Sequence, residues 1–132
     1  MKLTEAQFEA LKNRQAMPGV SRSKYNNIAT KVDDIRFDSK SEAAYYQMNQ
    51  LRILAGELSY QLIQVPFRLP GNTKYVCDFL EAYPDGKIRY VDIKGKITDT
   101  FRLKKRQVEA LYPVRIVCLK RKSGYNFEEL YV

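Results

Sequence analysis

The chain of 132 residues has no histidine, no tryptophan and only two cysteines. Without histidine there is no Ser/His/Asp or Cys/His triad, no His-rich zinc site and no imidazole base, so acid and base chemistry falls to carboxylates, lysine, tyrosine or water. Cys77 and Cys118 are too few for a four-cysteine zinc site, and their scarcity fits an intracellular protein whose thiols are small, reduced core residues. No apolar run approaches the ~20 residues that cross a bilayer as a helix, so no membrane partner is expected, and the location expected is cytoplasmic.

What is present is basic. Lysine and arginine number 23 against 15 acids, for a net charge of +8. With 45% apolar residues the chain can bury a core, and a polyanion is the first electrostatic candidate for a partner. The charge is uneven. Residues 87–122 hold twelve basic side chains against Asp92, Asp99 and Glu109, which leaves the remainder near neutrality.

Thr4 and Gln7 fit a capping box for an N-terminal helix ending near Arg14. Residues 15–36 carry Pro18-Gly19 and Asn26-Asn27 without sustained periodicity and read as a connector arm, so the expected division is 1–36 for helix and arm and 37–132 for the core domain. Ser39-Lys40-Ser41-Glu42 opens a helix to about Leu54, with Ala44, Met48, Leu51 and Ala55 as its apolar stripe. Leu58 to Leu69, Tyr75 to Tyr83 and Lys87 to Lys94 read as strands, with Pro66 interrupting or ending the first of them and Pro84-Asp85-Gly86 joining the last two as a hairpin. A helix from about Thr100 to Leu111 and a strand from Val114 to Leu119 follow, and Lys120-Arg121-Lys122 begins a polar tail. The order α-β-β-β-α-β, with an extra N-terminal helix, is that of a mixed-sheet α/β fold.

Period two places Val76, Asp78 and Leu80 on one face and Tyr75, Cys77 and Phe79 on the other. Asp92 and Lys94 share a face of the next strand. The expected three-residue loop pairs Tyr83 with Lys87 and sets Asp78 opposite Asp92, whereas a two-residue loop would set Asp78 opposite Ile93. Facing carboxylates destabilise a sheet unless something compensates. Mg²⁺ does so, since it takes one or two carboxylates with water and phosphate oxygens, and Lys94 can orient a water or offset phosphate charge. Glu42 is either a third carboxylate of this group or the closing residue of its own capping box. The bland alternative for Asp78 is a solvated edge acid, and for Asp92 with Lys94 an ordinary salt-bridged strand face.

Glu42, Asp78 and Asp92-Ile93-Lys94, on that order of elements, resemble the PD-(D/E)XK nuclease superfamily. Phe37-Asp38-Ser39-Lys40-Ser41-Glu42-Ala43, Tyr75-Val76-Cys77-Asp78-Phe79 and Val91-Asp92-Ile93-Lys94-Gly95 are similar to a small phage-borne branch akin to Holliday-junction resolvases. The resemblance covers residues 37–119, and Cys77 stands where the superfamily name has proline. It implies a restriction-endonuclease-like fold and metal-dependent hydrolysis of DNA. Asp78 and Asp92 would ligate Mg²⁺, with Mn²⁺ able to substitute, Glu42 would complete the site, and Lys94 would be the catalytic lysine. Gln107 and Tyr112 fit poorly the Gln and Tyr that some relatives carry, and no role is assigned to them.

On the helix after the motif, Arg102, Lys105, Arg106 and Glu109 are spaced along one face, while Leu103, Ala110 and Leu111 are expected toward the core. With Lys96, Lys120, Arg121 and Lys122 these basic residues form either a phosphate-binding surface or merely a solvated one. Tyr45 and Tyr46, near Glu42, are candidates to pack against a junction. The expectation is an endonuclease for branched DNA in phage recombination or replication, a homodimer because symmetric cutting needs two sites, with no organic cofactor. The alternatives are a non-catalytic basic DNA-binding protein, or a nuclease of the same fold that acts on flaps, ends or specific duplex sites.

Overall fold

The computed structural model describes residues 20–22 and 28–132; the expected N-terminal helix lies outside the described residues. The described chain forms two compact units, one ending at Leu58 and the other running from Ser59 to Val132.

In the first unit, β1 (Val20–Arg22), β2 (Ile28–Val32) and β3 (Ile35–Phe37) form an antiparallel sheet, where the sequence suggested a connector. The two-residue turn Asp33-Asp34 joins β2 to β3 with positive φ at both residues, a conformation short acidic side chains tolerate. Helix α1 (Lys40–Leu54) is capped by Ser39, whose hydroxyl accepts the Glu42 N–H at 3.1 Å, and it ends before Gly56, which has φ +82°. Its burial is wider than the expected stripe. Ala43, Tyr45, Tyr46 and Asn49 are buried along with Ala44 and Leu51, and Met48 is only half-buried. Tyr45 and Tyr46 are consequently core residues and present no surface to a nucleic acid; the Tyr46 hydroxyl donates to Asp33 Oδ2 at 3.3 Å.

The second unit is a five-stranded mixed sheet in the order β4-β5-β6-β7-β8, made of β4 (Tyr60–Leu69), β5 (Thr73–Ala82), β6 (Ile88–Ile93), β7 (Ile116–Ser123) and β8 (Asn126–Leu130). Only β6 and β7 are parallel, and α2 (Asp99–Leu111) connects them. Pro66 sits within β4 without ending it because β4 is an edge strand. The polar tail expected after Leu119 is instead strand: Lys120, Arg121 and Lys122 lie in β7, paired with β8, and their alternating exposure hides a ladder that composition alone does not show.

The β5–β6 hairpin has the three-residue loop. Tyr83 N–H donates to Lys87 O at 2.9 Å, Gly86 N–H closes the turn onto Tyr83 O, and Gly86 takes φ +90°. The register runs from Ala82↔Ile88 to Phe79↔Val91, so Asp78 and Asp92 occupy the next step, just past the end of the ladder.

Strict alternation of faces fails at that step. Gln64, across from Asp78 on β4, has φ +53°, and the β4–β5 ladder skips this pair. Beyond it, Tyr75 and Cys77 join the core cluster of Phe67, Phe101, Val108, Ile116 and Cys118, against which Tyr90 packs, while Phe79 is buried outside that cluster. The irregularity turns the ribbon over, and irregularities of this kind concentrate where a sheet must re-aim a side chain.

Helix α2 buries Phe101, Lys105 and Val108, spaced at i, i+4 and i+7. Leu103, Ala110 and Leu111 are exposed, contrary to expectation, because Phe101, Lys105 and Val108 take the buried face, which leaves Leu103 and Ala110 on the far side and Leu111 on the flank.

Candidate active site

Asp92 is a buried carboxylate of the second unit, with 1% of its surface exposed. Strand β6 carries it into the sheet interior beside Cys118, its partner on β7. Oδ2 accepts the hydroxyl of Tyr75. Oδ1 is buried and has no hydrogen-bond partner. Lys94 Nζ approaches Oδ1 to 3.3 Å, which makes an ion pair, but the angles of that approach do not make a hydrogen bond. A buried carboxylate oxygen without a donor is costly, and such groups mark sites where an ion or substrate supplies what the protein does not.

Lys94 follows directly on β6. Its N–H donates to Leu119 O at 2.8 Å, which prolongs the parallel pairing, and its ammonium lies 4.6 Å from the Phe101 ring centroid. The side chain is 30% exposed, so the cation faces both Asp92 and solvent. Asp78, half-buried, accepts the Ile93 N–H through Oδ2 at 2.9 Å. The structure thus sets Asp78 and Asp92 at one end of the β5–β6 ribbon, with Lys94 paired to Asp92.

Glu42 lies in the first turn of α1, in the other unit, and Ser39 Oγ donates to its Oε1 at 3.5 Å. Among the described residues no group of three or more His, Cys, Asp or Glu converges as metal ligands. A divalent ion at the strand site would therefore rest on the Asp78 and Asp92 carboxylates with water and substrate oxygens, a donor set that suits Mg²⁺. The orphaned Asp92 Oδ1 is the atom that fits such an ion.

Two residues escaped the sequence reading. Period two along β5 places Tyr75 on the face away from Asp92, and only the irregularity at Asp78 brings it round. Its phenol is held far above its ordinary pKa, first by burial and then by the Asp92 charge, so it serves as the donor. Phe101 packs on Tyr75 at 6.1 Å as well as under Lys94. Nothing in period or spacing flags either one.

The family model described as "Protein of unknown function (DUF1064)" matches residues 22–125. The chain belongs to this family. No curated protein and no solved structure matches it. The DUF1064 match spans Glu42, Asp78, Asp92 and Lys94 alike.

The basic residues of this DUF1064 protein divide by environment. Lys96, Arg102, Arg106 and Lys120 are exposed. Lys105 is 9% exposed and donates to Glu109 Oε1 at 3.0 Å, while Glu109 Oε2 accepts the Ile116 N–H; this lysine joins α2 to β7 and is withdrawn from the surface. Lys122 pairs with Glu128 at 2.7 Å, and Arg121 Nε donates to Gly124 O, both within the β7–β8 hairpin. Tyr112 has a structural part, donating to Arg68 O at 2.8 Å. Both thiols are buried and free. Burial and the neighbouring Asp92 charge push Cys77 up to about 12 and Cys118 up to about 11, so neither is a nucleophile near neutral pH. No described helix is long and apolar enough to cross a membrane.

Proposed function

We propose that this chain is a Mg²⁺-dependent endonuclease that hydrolyses DNA phosphodiester bonds, acts on branched DNA as a homodimer, and has a restriction-endonuclease-like core. The observation that carries the reading is Asp92: a carboxylate 1% exposed, with Oδ1 lacking a hydrogen-bond partner, an ammonium 3.3 Å away and Asp78 at the same step of the hairpin.

In this reading Asp92 and Asp78 hold the cation, and Mg²⁺ when bound offsets the negative charge that grows on the phosphate. Lys94, resting over Phe101, holds a second positive charge at the mouth of the site, where it orients the attacking water or a phosphate oxygen. Glu42 enters as a third ligand on the resemblance alone. Arg102, Arg106, Lys96 and Lys120 supply sequence-independent contacts to the backbone of the nucleic acid. Paired cuts at a four-way junction require two sites, hence the two-fold dimer.

The test is cleavage of a labelled four-way junction, its matching duplex and a flap, in Mg²⁺ or EDTA, by wild type and Asp92→Asn. Paired symmetric nicks on the junction alone, dependent on metal and on Asp92, are expected. Metal-dependent cutting of every substrate would keep the site and remove the junction preference. Salt-sensitive binding with no cutting would make the chain a non-catalytic DNA-binding protein.

A further inference from the structure

We propose that Tyr75 is a positioning residue for Asp92, whose hydroxyl ties down Oδ2 and thereby fixes Oδ1 as the oxygen offered to a divalent cation beside Lys94. The proposal rests on the metal-binding reading of Asp92. A carboxylate turns about a broad, nearly two-fold torsion, so without an anchor either oxygen can face the site. Tyr75 supplies the anchor at one oxygen only, leaving the other without a hydrogen bond.

The donor is itself well held. Tyr75 is 5% exposed, and its ring lies against Phe67 at 6.3 Å and Phe101 at 6.1 Å. The Phe101 ring also lies beneath the Lys94 ammonium, so one aromatic pair locates both the hydroxyl on Asp92 and the cation next to it. Regular alternation along β5 would have pointed Tyr75 to the other side of the sheet; the face switch at Asp78 delivers it. Outer partners of this kind set the orientation of metal-binding carboxylates, and their removal weakens affinity.

The experiment titrates Mn²⁺ into the full chain in metal-free buffer and follows free Mn²⁺ by electron paramagnetic resonance. Wild type, Asp92→Asn, Tyr75→Phe and Tyr75→Met are compared, the last because it also lacks the hydroxyl should phenylalanine impair folding. Wild type binds, Asp92→Asn loses that binding, and both Tyr75 variants bind about 10- to 100-fold more weakly. A merely structural tyrosine would lower the melting temperature of the metal-free protein and leave the Mn²⁺ affinity where it was. Wild-type affinity in both Tyr75 variants overturns the proposal while leaving the metal site intact. Equal binding by wild type and Asp92→Asn overturns the metal reading, and the role of Tyr75 with it.

Discussion

Asp78 Oδ2 accepts the backbone N–H of Ile93 at 2.9 Å, so the carboxylate proposed to hold a cation also closes the end of the β5–β6 ladder. The two roles separate by substitution. Asp78→Asn keeps an oxygen that can accept from Ile93 and removes the charge, whereas Asp78→Ala removes both. Urea unfolding should find Asp78→Asn close to wild type and Asp78→Ala destabilised by about 1–3 kcal/mol, the cost of an unpaired, partly buried N–H. Both should lose cleavage. Wild-type stability in Asp78→Ala would show that the bond to Ile93 carries no weight.

A cation bound by the folded state and not by the unfolded chain stabilises the fold by mass action. At a concentration of Mg²⁺ 100 times its Kd, wild type should gain about 2.7 kcal/mol, and Asp92→Asn essentially nothing. Calorimetric melting in Mg²⁺ and in EDTA measures both. An equal gain in the two proteins would place the ion elsewhere on the chain.

The hairpin was legible because its register follows from one loop: Pro84-Asp85-Gly86 in a three-residue connection brings Asp78 to the step of Asp92, as found. The helix cap at Ser39 was legible for the same reason, being a local hydrogen bond written in adjacent residues. What failed was non-local. Tyr75 reached Asp92 through a left-handed Gln64 on a neighbouring strand, which period two along β5 cannot register. The phase of α2 followed from which side chains filled the core under the sheet, and Phe101 and Val108 prevailed over Leu103 and Leu111. The strand character of Lys120-Arg121-Lys122 depended on β8 lying beside it.

Neighbouring basic residues on α2 should behave in opposite ways. Arg102 and Arg106 are exposed, so replacing both with alanine should leave stability within about 0.5 kcal/mol. If each meets one phosphate, DNA binding weakens and the slope of log K against log salt falls by about two. Lys105→Ala should instead lower stability, because it removes the donor to Glu109 Oε1 and the stem that packs beneath α2, and should leave the salt slope unchanged. Unfolding curves with salt-dependent filter binding distinguish them. A salt slope lowered by Lys105→Ala and not by the arginine pair would reverse the assignment of the DNA-facing side.

The buried thiols make stability fall in alkali. Cys77 is pushed up to about 12 and Cys118 to about 11, first by burial and then by the Asp92 charge, against an ordinary value of 9.0 that both regain on unfolding. Below pH 9 each thiol is protonated in both states and the contribution is complete. Above it the unfolded chain releases protons that the folded chain keeps, so stability declines, by up to about 1.4 kcal/mol per pH unit for each thiol. The decline from these two groups ends once pH has passed their folded values. Urea midpoints in EDTA at pH 7.5, 9 and 10.5 should show this fall in wild type, and Cys77→Ala with Cys118→Ala should flatten it even where the lost side-chain volume lowers stability throughout. The Tyr75 phenol, held high in the same way, keeps a residual slope in the double variant. A double variant as steep as wild type would assign the alkaline transition to the tyrosines and show that the two thiols titrate alike in both states.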